Sequence, residues 1–180
     1  MAIKDYKIFV SYDPENDQKY RDEFENIIAC SEISTVESVQ TEDIYKGDDV
    51  NTVRQKIREK ILQDSVVTVV LVGKDTWKKK HIDLEIEASI SQTESNPPSG
   101  LIGILLPTQS DLGNNQYSYD TIPPRLHKNI QNGFAKMYPW DINLLVIQNC
   151  IHEAFERTKK VVPDNSYPPF ADDLTGDNWE

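Results

Sequence analysis

An open parallel sheet with helices on both faces, the α/β class, is the fold this 180-residue sequence predicts. Three observations predict it. Residues 66–72 (VVTVVLV) are apolar at nearly every position, which is how a strand covered on both faces reads. Residues 101–106 (LIGILL) repeat that pattern. Strand-like runs alternate with helical periodicity along the chain, the signature of a doubly wound sheet.

The elements follow in order. Residues 7–12 (KIFVSY) form a β-rich run at the start. Residues 17–30 place Tyr20, Phe24, Ile27 and Ile28 at helical spacing. Residues 33–39 (ISTVESV) alternate weakly and are expected to be a second strand, followed by the polar loop TEDIYKGDD. Val50, Val53, Ile57 and Ile61 then recur on one helical face, with Asp48 and Asp49 where the N-terminal dipole favours acids. The third strand, 66–72, ends at Gly73, and a helix is expected over 76–92 until ESNPPSG breaks it. After the strand at 101–106, residues 107–133 read as a long irregular connection. A last short strand is expected at 134–138 and a final helix over 141–160. The predicted domain is therefore 1–162, with 163–180 an acidic, proline-containing, flexible tail from which Tyr167, Phe170 and Trp179 are able to dock.

Bulk properties narrow the function. A net charge of −11 argues against nucleic acid or an anionic membrane as partner, since both are polyanions. Lys78 to Lys80 read as a solvated helix face. Cys30 and Cys150 share no metal spacing and suggest no disulfide framework, so buried free thiols in a reducing compartment are expected. The N-terminus shows no signal-peptide pattern and no apolar run reaches membrane length, so the expected location is the cytoplasm.

In open parallel sheets, ligands bind beyond the carboxyl ends of the strands. That directs attention to residues 11–17, 41–49 and 73–77. Several chemistries fail there. No GxGxxG follows the first strand, and no GxxxxGK[ST] occurs. SYDPEND lacks the small hydroxyl and glycine residues of a flavin phosphate loop. VVTVVLVG ends in no aspartate that would accept a phosphoryl group, and Ser11 lies outside any GxSxG elbow. His81, His127 and His152 have no zinc spacing, so no metal site is expected and each is read as a surface or packing residue.

One helix stands out. Within 76–92, Ile82, Ile86 and Ile90 form an apolar stripe, while Trp77, Leu84 and Ala88 lie roughly opposite. A helix apolar on two faces needs two packing partners: the sheet, and either a neighbouring helix or another subunit. Glu85 and Ser89 fall on one seam between the stripes, Asp83 and Glu87 on the other. A carboxylate hemmed between apolar stripes near the ligand end of a sheet is a candidate site residue. The residues alone favour the plainer reading of Glu85 as a flank glutamate reaching to water.

Ile8-Phe9-Val10-Ser11-Tyr12, followed by DPEND, resembles the first box of TIR domains. Glu42-Asp43-Ile44-Tyr45-Lys46-Gly47-Asp48-Asp49-Val50 is similar to their second box, which begins the BB loop. Gly73-Lys74-Asp75-Thr76-Trp77 with Glu85-Ile86, and the late Tyr138-Pro139-Trp140-Asp141, look most like the TIR-like proteins of bacterial Thoeris antiphage systems. The resemblance covers roughly residues 5–160. Two positions depart from the pattern of many TIR domains: Lys46 stands where proline usually precedes the glycine, and His81 where a tryptophan usually stands four residues before the glutamate.

The resemblance implies a flavodoxin-like sheet and, in many members, cleavage of NAD at the nicotinamide–ribose bond. It places the catalytic carboxylate at Glu85, on the helix after the third strand. It implies that Phe9, Ser11, Tyr12 and Asp13 line the nucleotide pocket, joined by Asp43 and Lys46 of the BB loop and by Trp77, whose ring either covers an aromatic group or simply packs. NAD would be the substrate rather than a bound cofactor. The product would be a cyclised or conjugated ADP-ribose acting as a messenger to a separate effector. Self-assembly through the BB loop and the two-faced helix is expected to accompany activity. The alternative on the same fold is a non-catalytic interaction module.

Overall fold

The computed structural model describes residues 6–35, 48–63, 65–94, 96–109, 116–141 and 143–180. Five parallel strands form one sheet in the order β2-β1-β3-β4-β5. They are β1 (Lys7–Ser11), β2 (Ser34–Thr35), β3 (Val67–Val72), β4 (Gly100–Leu105) and β5 (Ala135–Pro139). The helices are α1 (Gln18–Ile28), α2 (Val50–Ile57, continued by a π-helical turn over Arg58–Leu62), α3 (Lys80–Ile90), α4 (Pro124–Gln131) and α5 (Leu144–Arg157). This is the flavodoxin-like, TIR-like α/β arrangement expected from the sequence. Its strand order reverses between β1 and β3, and a sheet of this kind opens its ligand crevice at such a switch point.

Alternation along β1 sorts the two layers. Ile8 and Val10 point to one face, where they pack with Phe24 and Ile28 of α1 and Ile147, Ile151 and Ala154 of α5. Phe9 points to the other face and packs with Val53 and Ile57 of α2 and Leu84 and Ala88 of α3. β3 and β4 are buried at every position, because α1 and α5 cover one face and α2, α3 and α4 the other. Gly100 permits the close seating of α5: a Cβ there would lie 2.6 Å from the Ala154 carbonyl oxygen.

Several expectations change. The helix expected over 76–92 is broken at Lys79, whose extended backbone separates a 3-10 turn (Thr76–Lys78) from α3. The connection expected to be irregular contains α4, which starts on Pro124 at its N-terminus, where a missing N–H costs nothing. Its periodicity is faint in the sequence because Arg125 and Asn129, both polar, lie on the buried face with Leu126. Cys30 is exposed at the end of α1, while Cys150 is buried in α5. Of the two partners open to the second apolar face of α3, a neighbouring helix takes it: Ile82, Ile86 and Ile90 pack on the sheet and α4, and Leu84 and Ala88 are covered by α2.

The tail expected to be flexible is docked. Asn165, Phe170, Asp173, Leu174 and Trp179 all make hydrogen bonds to the body of the domain, and Phe170 is buried. Its composition misleads because the tail is held by backbone and amide hydrogen bonds more than by apolar side chains. Among the described residues, no helix is long and apolar enough to cross a membrane.

Candidate active site

The alternation that sends Phe9 into the α2–α3 layer also sends Ser11 there, at the carboxyl end of β1. Ser11 donates its hydroxyl to Glu85 Oε2 at 2.5 Å, across 74 positions of sequence. Both side chains are buried, Glu85 at 3% exposure. Glu85 sits in the middle of α3, which is fixed by the isoleucine stripe on the sheet and by Leu84 and Ala88 against α2. The pair therefore joins the end of β1 to the crossover helix after β3, at the switch point of the sheet.

The remaining first-strand residues divide. Phe9 is enclosed in the core rather than set in a crevice, because its strand position faces α2 and α3. The Tyr12 ring lies on the opposite layer, packed against the α1–α5 core, and its hydroxyl donates to Gln18. What Tyr12 brings towards α3 is its carbonyl oxygen, 3.1 Å from His81 Nε2. Asp13 is fully buried and organises its own turn, accepting from the Glu15 amide and from Asn16 Nδ2. Lys79 Nζ stands 3.8 Å from Asp13 and 2.6 Å from Glu15, so the lysine run expected on a solvated face is tied into this loop. Trp77 is buried in its 3-10 turn, with Lys78 Nζ 5.2 Å from the ring centre. Asp43 and Lys46 lie outside the described residues.

The other two carboxylates of α3 are held differently. Asp83 forms a buried pair with Arg125 of α4, Nε to Oδ1 at 2.9 Å. Its Oδ2 also accepts from the Phe170 amide at 3.0 Å. Burial raises the Asp83 pKa, and the Arg125 bonds work against that rise. Glu87 receives two guanidinium nitrogens of Arg54 from α2. These are architectural contacts, made on the seam opposite Glu85.

A further carboxylate near the ligand end escaped the sequence reading. Asp17 precedes α1 where an N-cap belongs, yet its side chain makes no capping bond. It turns instead under the end of β3, where it accepts from Thr108 Oγ1 at 3.1 Å. Its Oδ2 meets no hydrogen-bond partner among the described residues. Burial pushes its pKa up to about 6; the Thr108 bond opposes this, and the charges of Asp13 and Asp75 add to it. Gly73 is obligatory beside it, since a Cβ there would lie 2.0 Å from Asp17 Oδ2. The signal in the sequence was the glycine ending β3, read there only as a strand terminator.

Two pockets lined by described residues lie away from Glu85. One, of about 460 Å³, is bounded by Tyr119, His127, Lys128, Tyr167 and Trp179. The other, of about 480 Å³, lies between Arg58 and Thr93.

A family model described as "Thoeris protein ThsB, TIR-like domain" matches residues 9–111, more than half of the chain. The matched span contains β3, α3, Ser11 and Glu85. A comparison with curated proteins returns no match.

Proposed function

The chain belongs to the TIR-like domain family of the Thoeris protein ThsB, a membership that supports a role in Thoeris defence, and we propose that it cuts NAD at the nicotinamide–ribose bond. One observation carries the proposal: the buried hydrogen bond between Ser11 and Glu85 at the carboxyl end of β1, beside the switch point where such sheets take nucleotides.

The chemistry asks for a fixed carboxylate. As the C1′–N bond of NAD breaks, its electron pair leaves with nicotinamide, which departs neutral and needs no strong general acid. Positive charge then develops over C1′ and the ring oxygen of the ribose, as in glycoside cleavage. Glu85, held near the ribose, stabilises that charge, and its low-dielectric surroundings strengthen the effect. Ser11 orients the carboxylate through a neutral hydroxyl, which fixes its position without cancelling its charge. A nucleophile completes the reaction by bonding to C1′ and releasing a proton. If that nucleophile is water, the product is ADP-ribose. If it is a group of the same nucleotide, the product is a cyclised messenger for a separate effector.

The test is incubation of purified protein with NAD, alone and with phage-infected lysate, with nicotinamide and nucleotide products read by mass. Wild type is expected to release nicotinamide in at least one condition, and Glu85→Gln in neither. Absence of nicotinamide from wild type in both conditions overturns the proposal and leaves the non-catalytic interaction module.

A further inference from the structure

The tail runs along α3 from one end of the helix to the other. Near the C-terminal end of the helix, Asn165 Nδ2 donates to the Glu87 carbonyl and to Ser91 Oγ at 3.2 and 2.8 Å. The Asn165 Oδ1 accepts from Arg125, whose guanidinium is fully buried on Asp83. One turn back towards the N-terminus, the Phe170 amide donates to Asp83. At the start of the helix, Asp173 accepts from the Lys80 amide at 2.7 Å, and the Leu174 amide donates to the Lys78 carbonyl. The residue preceding α3, Lys79, makes no side-chain cap bond, so the helix takes an N-terminal acceptor from a residue 93 positions later. A carboxylate there satisfies an orphan N–H and complements the helix dipole.

Glu85 lies between these attachment points, on the opposite seam. We propose that residues 164–174 are a strap that caps and aligns α3 and so sets the position of Glu85, with Asp173 and Asn165 as positioning residues. Its activity readout rests on the NAD-cleaving reading. A helix held by apolar packing, even on two faces, still slides slightly along its axis. Hydrogen bonds at both ends and the middle of the helix remove that freedom. Displacement of a catalytic group by about 1 Å costs up to about a hundredfold in rate.

The experiment uses full-length protein and measures NAD turnover together with hydrogen exchange of the α3 amides. Asp173→Ala removes the cap at an exposed position, and Asp173→Asn supplies a cap of similar quality. Asn143→Ala is the matched control: it removes the N-cap of α5, on the far layer. We expect Asp173→Ala to lower kcat roughly fivefold or more with KM within about twofold of wild type. Asp173→Asn restores it, Asn165→Ala reproduces the loss, and Asn143→Ala leaves kcat unchanged. A kcat for Asp173→Ala within about twofold of wild type, or an equal loss in Asn143→Ala, overturns the strap. Absence of turnover in wild type refutes the NAD reading separately, and exchange then decides. Faster exchange of residues 80–90 in Asp173→Ala than in Asn143→Ala supports the strap; equal exchange overturns it.

Discussion

The two seams of α3 carry the same residue chemistry to opposite ends. On one, Asp83 and Glu87 are each met by a guanidinium, from Arg125 and Arg54. On the other, Glu85 is met by the hydroxyl of Ser11. An ion pair uses a carboxylate to join two helices; a hydroxyl aims it. The difference teaches that burial alone does not mark a functional acid, since all three are buried. The place in the sheet, at the carboxyl end of β1, sets Glu85 apart.

The sharpest break of that comparison is Glu85→Gln. It should reduce NAD turnover by about a hundredfold or more, equivalent to about 3 kcal/mol of transition-state stabilisation, while circular dichroism stays unchanged. Activity within threefold of wild type would take Glu85 out of the mechanism. Asp83→Asn should do the reverse. It leaves the Arg125 charge buried without its counter-ion and should lower unfolding free energy by roughly 3–5 kcal/mol, read by urea titration. A loss under about 1 kcal/mol would mean that the pair contributes little to holding the helices together.

Asp17 extends the comparison to a buried acid with one weak partner. Its folded pKa, about 6, lies above its ordinary value of 3.8, so the folded state holds the proton more tightly. Its contribution to stability is therefore full below pH 3.8, falls as pH rises to about 6, and is absent above that. Asp17→Asn should stabilise the protein at pH 7.5 by at most ~3 kcal/mol and leave it unchanged near pH 3.5. Stability curves that run parallel across this range would contradict the assignment. The smallest expected effect is Ser11→Ala. Loss of the aiming hydroxyl should lower kcat about tenfold with little change in melting temperature, and an unaltered kcat would show that packing alone holds Glu85 in place.

The sheet was legible in the sequence because β3 and β4 are buried on both faces, which leaves continuous apolar runs. Glu85 was visible as a seam residue, and the family resemblance supplied the role proposed for it. Ser11 was visible as a member of the first loop, but its bond to Glu85 depends on which way β1 faces, and three consecutive apolar residues between Lys7 and Ser11 do not declare that. Phe9 shares the layer of Ser11 but lies two residues deeper in the core, and the Tyr12 ring turns to the opposite layer; neither depth nor facing is written in the residue types. α4 was hidden because its buried face is Arg125 and Asn129. The tail was hidden because acidic and prolyl residues usually mark mobile chain, and here the anchors are a carboxylate, amides and backbone groups that no periodicity reveals.

The N-terminal cap of α3 also has a consequence in time. Asp173 is separated from the Lys80 amide by 93 positions. At about 5–20 residues per second, a ribosome needs roughly 5–20 s to make that stretch. Throughout that interval the nascent chain holds β1, α3 and Glu85 without the acceptor that Asp173 places at the head of the helix. A polypeptide broken off before Asp173 would have the matched TIR-like segment and its glutamate on an uncapped helix, so under the proposed strap the order of synthesis delays the alignment of Glu85 until residue 173 is made.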